Sequence, residues 1–187
     1  MNELQGLRFF YRLKGVYRSN SVNNRRESSA EHSWSCLILA DYFLSLFGKK
    51  YNIDKLKVFE MLLYHDIVEI EAGDTPLTPT HTITKSQQEE KEMLALKKLE
   101  QKLPEHLKSK VIKLFLEFSK CETIEAKFAN AIDKLDAIIH ELDYKKDWNG
   151  WTEEFLRRNK EAYFESFPEL KSFFEKLVSY LKENNYF

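Results

Sequence analysis

At 187 residues the chain is long enough to close one substantial core, and its 43% hydrophobic and 32% charged residues are ordinary for a folded protein. A formal net charge of -1 excludes broad electrostatic attraction to nucleic acid or anionic membranes, and no apolar run approaches the ~18 residues that cross a bilayer. Two cysteines, Cys36 and Cys121, are too few for a disulfide framework and have no CxxC partner, so both are expected to be reduced and buried, in a cytoplasmic protein.

Only five Gly and four Pro interrupt the chain. Apolar residues recur at helical rather than alternating spacing, which predicts an all-α fold of about eight helices. The first spans roughly Glu3 to Lys14, and its polar start, Met1-Asn2-Glu3-Leu4-Gln5, lacks the apolar stretch of a signal peptide. A polar loop, Ser19 to Arg26, leads to Ser28-Ser29-Ala30-Glu31, in which Ser28 and Glu31 have capping-box spacing. The helix opened there carries Leu37, Ala40, Leu44 and Phe47 and stops near Gly48. Asp54 caps a third helix that runs to about Glu71 and ends at Gly73. After a loop with Pro76 and Pro79, Thr84 starts a strongly charged helix, and Pro104 sits in the first turn of the next. Thr123 opens a long helix through Asp133 to about Tyr144, and Thr152 and Pro168 open the last two. One domain over residues 1–187 is expected, with helices 152–187 packing on a core at about 5–145.

The chemistry concentrates at His65-Asp66, adjacent imidazole and carboxylate groups inside an apolar helical run, Val58-Phe59-Glu60-Met61-Leu62-Leu63-Tyr64. A buried carboxylate needs an ion pair or a metal to offset its desolvation. Two further residues of ligand type sit in similar settings: His32 near the start of an apolar helix, and Asp133 within Ala129-Asn130-Ala131-Ile132-Asp133-Lys134-Leu135. Taken singly, each is more simply a hydrogen-bonded core histidine or an ion-paired carboxylate, Asp133 with Lys134 for example. Together they form a mixed nitrogen and oxygen shell drawn from three helices, which is how bundles build sites in their cores. Small residues along the Asp133 stripe, Ala126, Ala129 and Ala137, let a neighbouring helix approach closely. Glu69 lies four residues after His65 and so on the same helical face, while Asp74 follows the helix-ending Gly73. Residues 8 to 26 carry Arg8, Arg12, Lys14, Arg18, Arg25 and Arg26 with no Asp or Glu, a positive segment beside an acidic site and suited to a phosphate dianion. His140 lies two helical turns after Asp133, about 10 Å away, too far for the same ion. His81 and His106, in a loop and an exposed charged helix, give no second metal site.

The ordered set His32, His65-Asp66, Asp133 resembles the H…HD…D pattern of the HD-domain metal-dependent phosphohydrolases. His65-Asp66-Ile67-Val68-Glu69-Ile70-Glu71-Ala72-Gly73-Asp74 is similar to the HDxxE(x)3GD segment of the branch that contains bacterial 5'-deoxynucleotidases and their eukaryotic relatives. Ser29-Ala30-Glu31-His32-Ser33 is similar to that branch's first-histidine motif, and Glu125-Ala126-Lys127-Phe128 with Asp133-Lys134-Leu135 to its last-aspartate motif.

This resemblance implies a helical HD-domain bundle in which His32, His65, Asp66 and Asp133 hold one divalent metal ion. Their donor set suits Co, Mn, Mg, Zn or Fe without choosing among them. It further implies catalytic roles for Glu69 and Asp74, a phosphate contact for Arg18, a nucleoside 5'-monophosphate (2'-deoxy in that branch) as substrate, and a homodimer. No nucleic-acid or membrane partner is expected. The chain departs from the branch after Arg18, where Trp is common and Ser19-Asn20-Ser21 stands instead. Alternatives are another HD phosphohydrolase, acting on a nucleoside triphosphate, cyclic dinucleotide or alarmone, and a helical nucleotide-binding protein without turnover. The Glu69-Ile70 pair counts against the alarmone option, whose enzymes read HDxxED. Glu69 and Asp74 together count against a pure binder. The aromatic-rich segment from Trp148 to Phe174 is assigned to core or dimer packing.

Overall fold

A computed structural model describes residues 3–80 and 84–187; His81 lies outside them. Among the described residues the fold is helical apart from one small hairpin, as the periodicity predicts. The first helix, α1 (Glu3–Phe10), tightens into a 3₁₀ turn over Tyr11–Gly15. The segment expected as a polar loop is instead an antiparallel hairpin, β1 (Tyr17–Val22) and β2 (Arg25–Ser28). Its tight turn is made by Asn23 in a left-handed conformation, φ 51°, which asparagine tolerates better than most residues. The strands carry few apolar residues and show no alternation, so periodicity could not reveal them. Docking holds them in place. Ser21 donates from its N–H and Oγ to Asp147 (2.7 and 2.9 Å), Asn20 Nδ2 donates to Glu141 Oε1 (2.8 Å), and His140 Nε2 donates to the Ser21 carbonyl (2.8 Å).

The Ser28–Glu31 capping box is present at the start of α2 (Ser29–Phe47), and Asp54 caps α3 (Lys55–Tyr64) by accepting from the Lys57 N–H. The third expected helix then breaks. His65 Nδ1 donates to the Leu62 carbonyl at 2.8 Å, and the chain runs through two i→i+3 turns before the short α4 (Glu69–Ala72). A continuous helix would keep Val68 on the face of Met61, seven residues earlier. The break leaves Met61 and Leu62 in one core and sends Ile67 and Val68 into another, all four side chains being buried. Gly73, φ 72°, ends α4 as expected. A Thr84–Gln87 capping box opens α5 (Lys85–Glu100), which α6 (Glu105–Lys120) follows, and Thr123 caps α7 (Ile124–His140), which ends in a 3₁₀ turn short of Tyr144. Last come α8 (Glu153–Lys160) and α9 (Pro168–Glu183).

Two hydrocarbon clusters result. The larger joins α2, α3 and α7 to the C-terminal aromatics Trp148, Trp151, Phe155, Phe164, Phe167 and Phe174, all buried. The smaller joins α1, α4, α5 and α6 through Phe9, Ile67, Val68, Leu99, Val111 and Phe115. His65 and Asp66, at the end of α3, stand between them. Cys36 is buried as expected, but Cys121 is only half-buried, because it closes α6 in a left-handed conformation (φ 53°) and so sits on a turn rather than on an inward helical face.

Candidate functional site

The break after Tyr64 aims His65 and Asp66 at the N-terminal turn of α2 and the middle of α7. His32 Nε2 lies 3.0 Å from Asp133 Oδ1 and 4.0 Å from Asp66 Oδ2. His65 Nε2 lies 3.2 Å from Asp66 Oδ1 and 4.0 Å from Asp133 Oδ1, and the two imidazole rings are 5.4 Å apart between centroids. Residues separated by up to 101 positions thus converge, as a shared ion requires.

One observation tests whether these groups fit a cation. His65 Nδ1 is committed to the Leu62 carbonyl, while Nε2 is buried with no hydrogen-bond partner. A carbonyl only accepts, so Nδ1 carries a proton and the neutral ring presents a lone pair at Nε2 towards two carboxylate oxygens. Lone pair against carboxylate is repulsive until a cation stands between. His32 is prepared in the same manner from the other side. Its Nδ1 lies 2.8 Å from Asp136 Oδ2, which also accepts from Ser35 Oγ at 2.9 Å, so Nε2 is left to face the cluster. Carboxylate–imidazole pairs of this kind fix the tautomer of metal-ligating histidines. Burial and Arg18 oppose charge on His32, yet its pKa is raised well above the ordinary histidine value by Cys36, Asp133 and Asp136. The negative field of the aspartates that would hold a second proton there would also hold a metal.

Asp133 divides its oxygens. Oδ1 faces the histidines, and Oδ2 accepts from Lys134 Nζ at 2.7 Å. Burial pushes its pKa up, but Lys134 and the hydrogen bond with His32 outweigh it and hold the carboxyl well below the usual range. The pairing with Lys134 and membership of the cluster, alternatives in the sequence, coexist. Cys36 and His65 also lie within ligand spacing of His32, as do Glu27 and Asp136. Burial pushes the Cys36 thiol up to about 12. Glu27 and Asp136 are committed elsewhere, to Arg18 and to His32 Nδ1.

Glu69 and Asp74 stand beside the cluster. The expectation that Glu69 shares a continuous helix face with His65 fails with the break, yet α4 still returns Glu69 to the site, where Ser29 Oγ donates to its Oε2 at 2.5 Å. Burial, Asp66 and Asp74 raise the Glu69 pKa well above the carboxylate value. Burial also raises that of Asp74, over the opposing pull of Arg18. The loop that carries Asp74 is tied to α5 by Lys91 Nζ, which donates to Thr75 Oγ1 at 2.8 Å.

Of the basic segment, Arg8, Arg12, Arg25 and Arg26 are exposed; Arg18 turns inward. Three residues, Arg18, Ser19 and Asn20, stand opposite the single Glu27 where the hairpin register slips, and irregularities of this kind re-aim side chains near sites. Arg18 Nη1 lies 3.5 Å from Asp66 Oδ2. Burial works against its charge, but Asp66, Glu69, Asp74 and Asp133 more than offset this and raise its pKa. His140 lies away from the imidazole cluster, and His106 is exposed.

Sequence reasoning missed Asp136, Glu27 and Ser29. Asp136 had a signal, a second acid three residues after Asp133 on the same apolar helix. Ser29 stood in the first-histidine motif without a role assigned to it, and Glu27 had no signal beyond its place beside the capping box.

The HD domain family matches residues 10–171. The protein named 5'-deoxynucleotidase HDDC2 from Xenopus laevis is 28% identical over 146 residues, 76% of this chain and 69% of that protein, and its namesake from Homo sapiens is 29% identical over 145 residues, 76% and 68%. A crystal structure described as a predicted metal-dependent phosphohydrolase from Magnetospirillum magnetotacticum superposes with a TM-score of 0.83 at 28% identity, covering 98% of this chain and 93% of that one.

Proposed function

The chain belongs to the HD-domain family, and from that premise we propose that it is a metal-dependent phosphomonoesterase converting nucleoside 5'-monophosphates, 2'-deoxynucleotides foremost, to nucleoside and phosphate. The observation that carries this reading is the unpartnered, buried Nε2 of His65, aimed with His32 Nε2 at the carboxylates of Asp66 and Asp133 beneath an inward-turned arginine. The names of the relatives from Xenopus and human support the substrate class.

In this reading His32, His65, Asp66 and Asp133 hold one divalent ion. When bound, such an ion supplies Lewis acidity towards phosphoryl oxygens and lowers the pKa of water towards ~7 from 15.7. Arg18 binds the phosphate through its terminal nitrogens, a charge-assisted contact that also fixes the orientation of the ester. Glu69 handles a proton at Oε1, since Oε2 is taken by Ser29, and its raised pKa suits an acid that serves the leaving 5'-oxygen. Asp74 takes the complementary role from the loop side. Residues 1–187 act as one domain, in the cytoplasm; no helix among the described residues is long and apolar enough to cross a membrane.

The proposal includes a homodimer. The C-terminal aromatics cannot supply its surface, because they are buried within the larger core. A stripe of exposed apolar side chains runs instead along α2, where Trp34, Ile38, Tyr42 and Leu46 recur every four residues and are each more than half exposed. Sedimentation of Tyr42→Glu beside the parent protein tests this, the substituted chain being expected as monomer.

Phosphate release from a panel of deoxy- and ribonucleoside 5'-monophosphates, with Mn or Co supplied, tests the activity. Release from the deoxy series is expected. Activity confined to triphosphates, cyclic dinucleotides or alarmones would transfer the chain to another branch of the family, and binding without release would make it a sensor.

A further inference from the structure

We infer that Glu27 is the positioning residue for Arg18, holding the guanidinium back from the metal-ligand carboxylates so that its terminal nitrogens remain available to an incoming phosphate. This rests on the reading of Arg18 as the phosphate-binding residue and extends it to a group that the sequence did not single out.

Asp66, Glu69, Asp74 and Asp133 all act on the Arg18 charge, and Asp66 is within ion-pair reach at 3.5 Å. An arginine so surrounded tends to close into a bidentate pair, with N···O distances near 2.8 Å. That closure is not what the site shows. Nη1 stays 3.5 Å from Asp66 Oδ2, too long for a strong charge-assisted bond. At the other end of the guanidinium fork, Glu27 Oε2 lies 3.2 Å from Arg18 Nε, the inner nitrogen. The contact is an ion pair rather than an aligned hydrogen bond, Nε having no partner of hydrogen-bond geometry. A carboxylate at Nε restrains the arginine without occupying Nη1 or Nη2, the atoms that reach a ligand.

Glu27 is itself held from three directions. It stands alone opposite the Arg18–Asn20 bulge, it immediately precedes Ser28, whose capping box with Glu31 fixes the chain there, and its Oε1 faces His140 Nδ1 at 3.7 Å. His140 is fixed in turn by the Ser21 carbonyl and by the Tyr144 ring, 5.2 Å away between centroids. At 3% exposure Glu27 is as deeply buried as the hydrocarbon around it. Burial raises the Glu27 pKa, His32, Arg18 and His140 pull the other way, and the Arg18 ion pair at 3.2 Å is shorter than the 3.7 Å approach of His140. A residue that merely anchored the hairpin would not need to be charged; Asn20 and Ser21 already dock the strand with neutral donors.

The test is a double-mutant cycle read by calorimetric titration of inorganic phosphate into Mn-loaded wild-type, Arg18→Ala, Glu27→Gln and doubly substituted protein, with metal content and melting temperature measured alongside. Glu27→Gln is expected to weaken phosphate binding about ten-fold, the scale of one charged contact, at unchanged metal content. In the Arg18→Ala background the same change should alter affinity by no more than about two-fold. Equal losses in both backgrounds, or an unchanged affinity in Glu27→Gln, would overturn the inference. Should the glutamine variant fold poorly, Glu27→Asp keeps the charge on a side chain one methylene shorter. It should then weaken phosphate binding only where Arg18 is present, and a loss independent of Arg18 would overturn the inference equally. Turnover separates this from the activity itself. Phosphate release from deoxynucleotides with an additive cycle sinks Glu27 alone, whereas a coupled cycle without release from any monophosphate sinks the proposed activity alone. With activity present, Glu27→Gln should raise KM more than it lowers kcat, a split that loss of fold would not produce.

Discussion

The imidazole–carboxylate cluster and the C-terminal aromatic core are both buried, and both pack on α7, but they meet the demands of burial in opposite ways. In the aromatic core every group is satisfied. Phe164 stacks on Phe174 at 4.7 Å between centroids, and Trp148 Nε1 donates to the Glu141 carbonyl at 3.0 Å. In the cluster, carboxylates crowd around Arg18 and Lys134, and one imidazole nitrogen has no partner at all. Hydrocarbon burial at roughly 1.5–3 kcal/mol per large side chain supplies the stability. The cluster spends part of it on groups whose balance is completed only by something bound. The difference teaches that here a fully satisfied region and an electrostatically unbalanced one share a helix, and it predicts that each can be altered without the other.

The contrast breaks most completely at Asp66. Asp66→Ala removes a charged member of the proposed ligand set, and elemental analysis should find the purified protein essentially metal-free. Phosphate release should fall at least ~10³-fold, beyond the 10–100-fold typical of groups that only support a ligand. The fold should survive, because Asp66 contributes no hydrocarbon to either core. The converse substitution lies in the aromatic core. Phe164→Ala should cost about 3–5 kcal/mol and lower the melting temperature by roughly 10 °C, while the folded fraction keeps its metal and its turnover. An activity loss larger than the loss of folded protein would show the two regions to be coupled after all. Between these, Glu69→Gln should retain the metal while turnover drops ~10²-fold, the scale of general acid–base catalysis; a wild-type rate would remove Glu69 from the mechanism. The mildest effect is expected at Asp136→Asn, which keeps a hydrogen-bond acceptor for His32 Nδ1 but loses its charge. Competition with a chelator should reveal metal affinity weakened roughly 10- to 100-fold, with the melting temperature of the chelated protein almost unchanged.

Much of the site was legible before the fold was known, and the reason is chemical. His32, His65, Asp66 and Asp133 are polar residues placed where hydrophobic periodicity calls for hydrocarbon, so each announces itself against its own helix. The helix starts at Ser28, Asp54, Thr84, Thr123 and Thr152 were equally readable, because capping is a local bond between a side chain and a backbone N–H two or three residues on. Asp136 escaped notice although it broke the same rule three residues after Asp133. The hairpin, Glu27 and the helix break after Tyr64 escaped for a different reason: no local pattern marks them.

By itself, then, the order of residues determined the helical class, most helix starts and the four candidate ligands, all properties of short-range spacing and of single side chains in the wrong solvent. Tertiary structure alone decided that Ile67 and Val68 enter a second core, forcing α3 to end at the His-Asp pair. It alone docked a nearly all-polar strand on the end of α7, so that one arginine of an otherwise exposed basic segment faces the carboxylates. The strand docking depends on partners more than a hundred residues away, the second core on Phe9, Leu99, Val111 and Phe115, and the strength of both comes from burial, which no window of neighbouring residues contains.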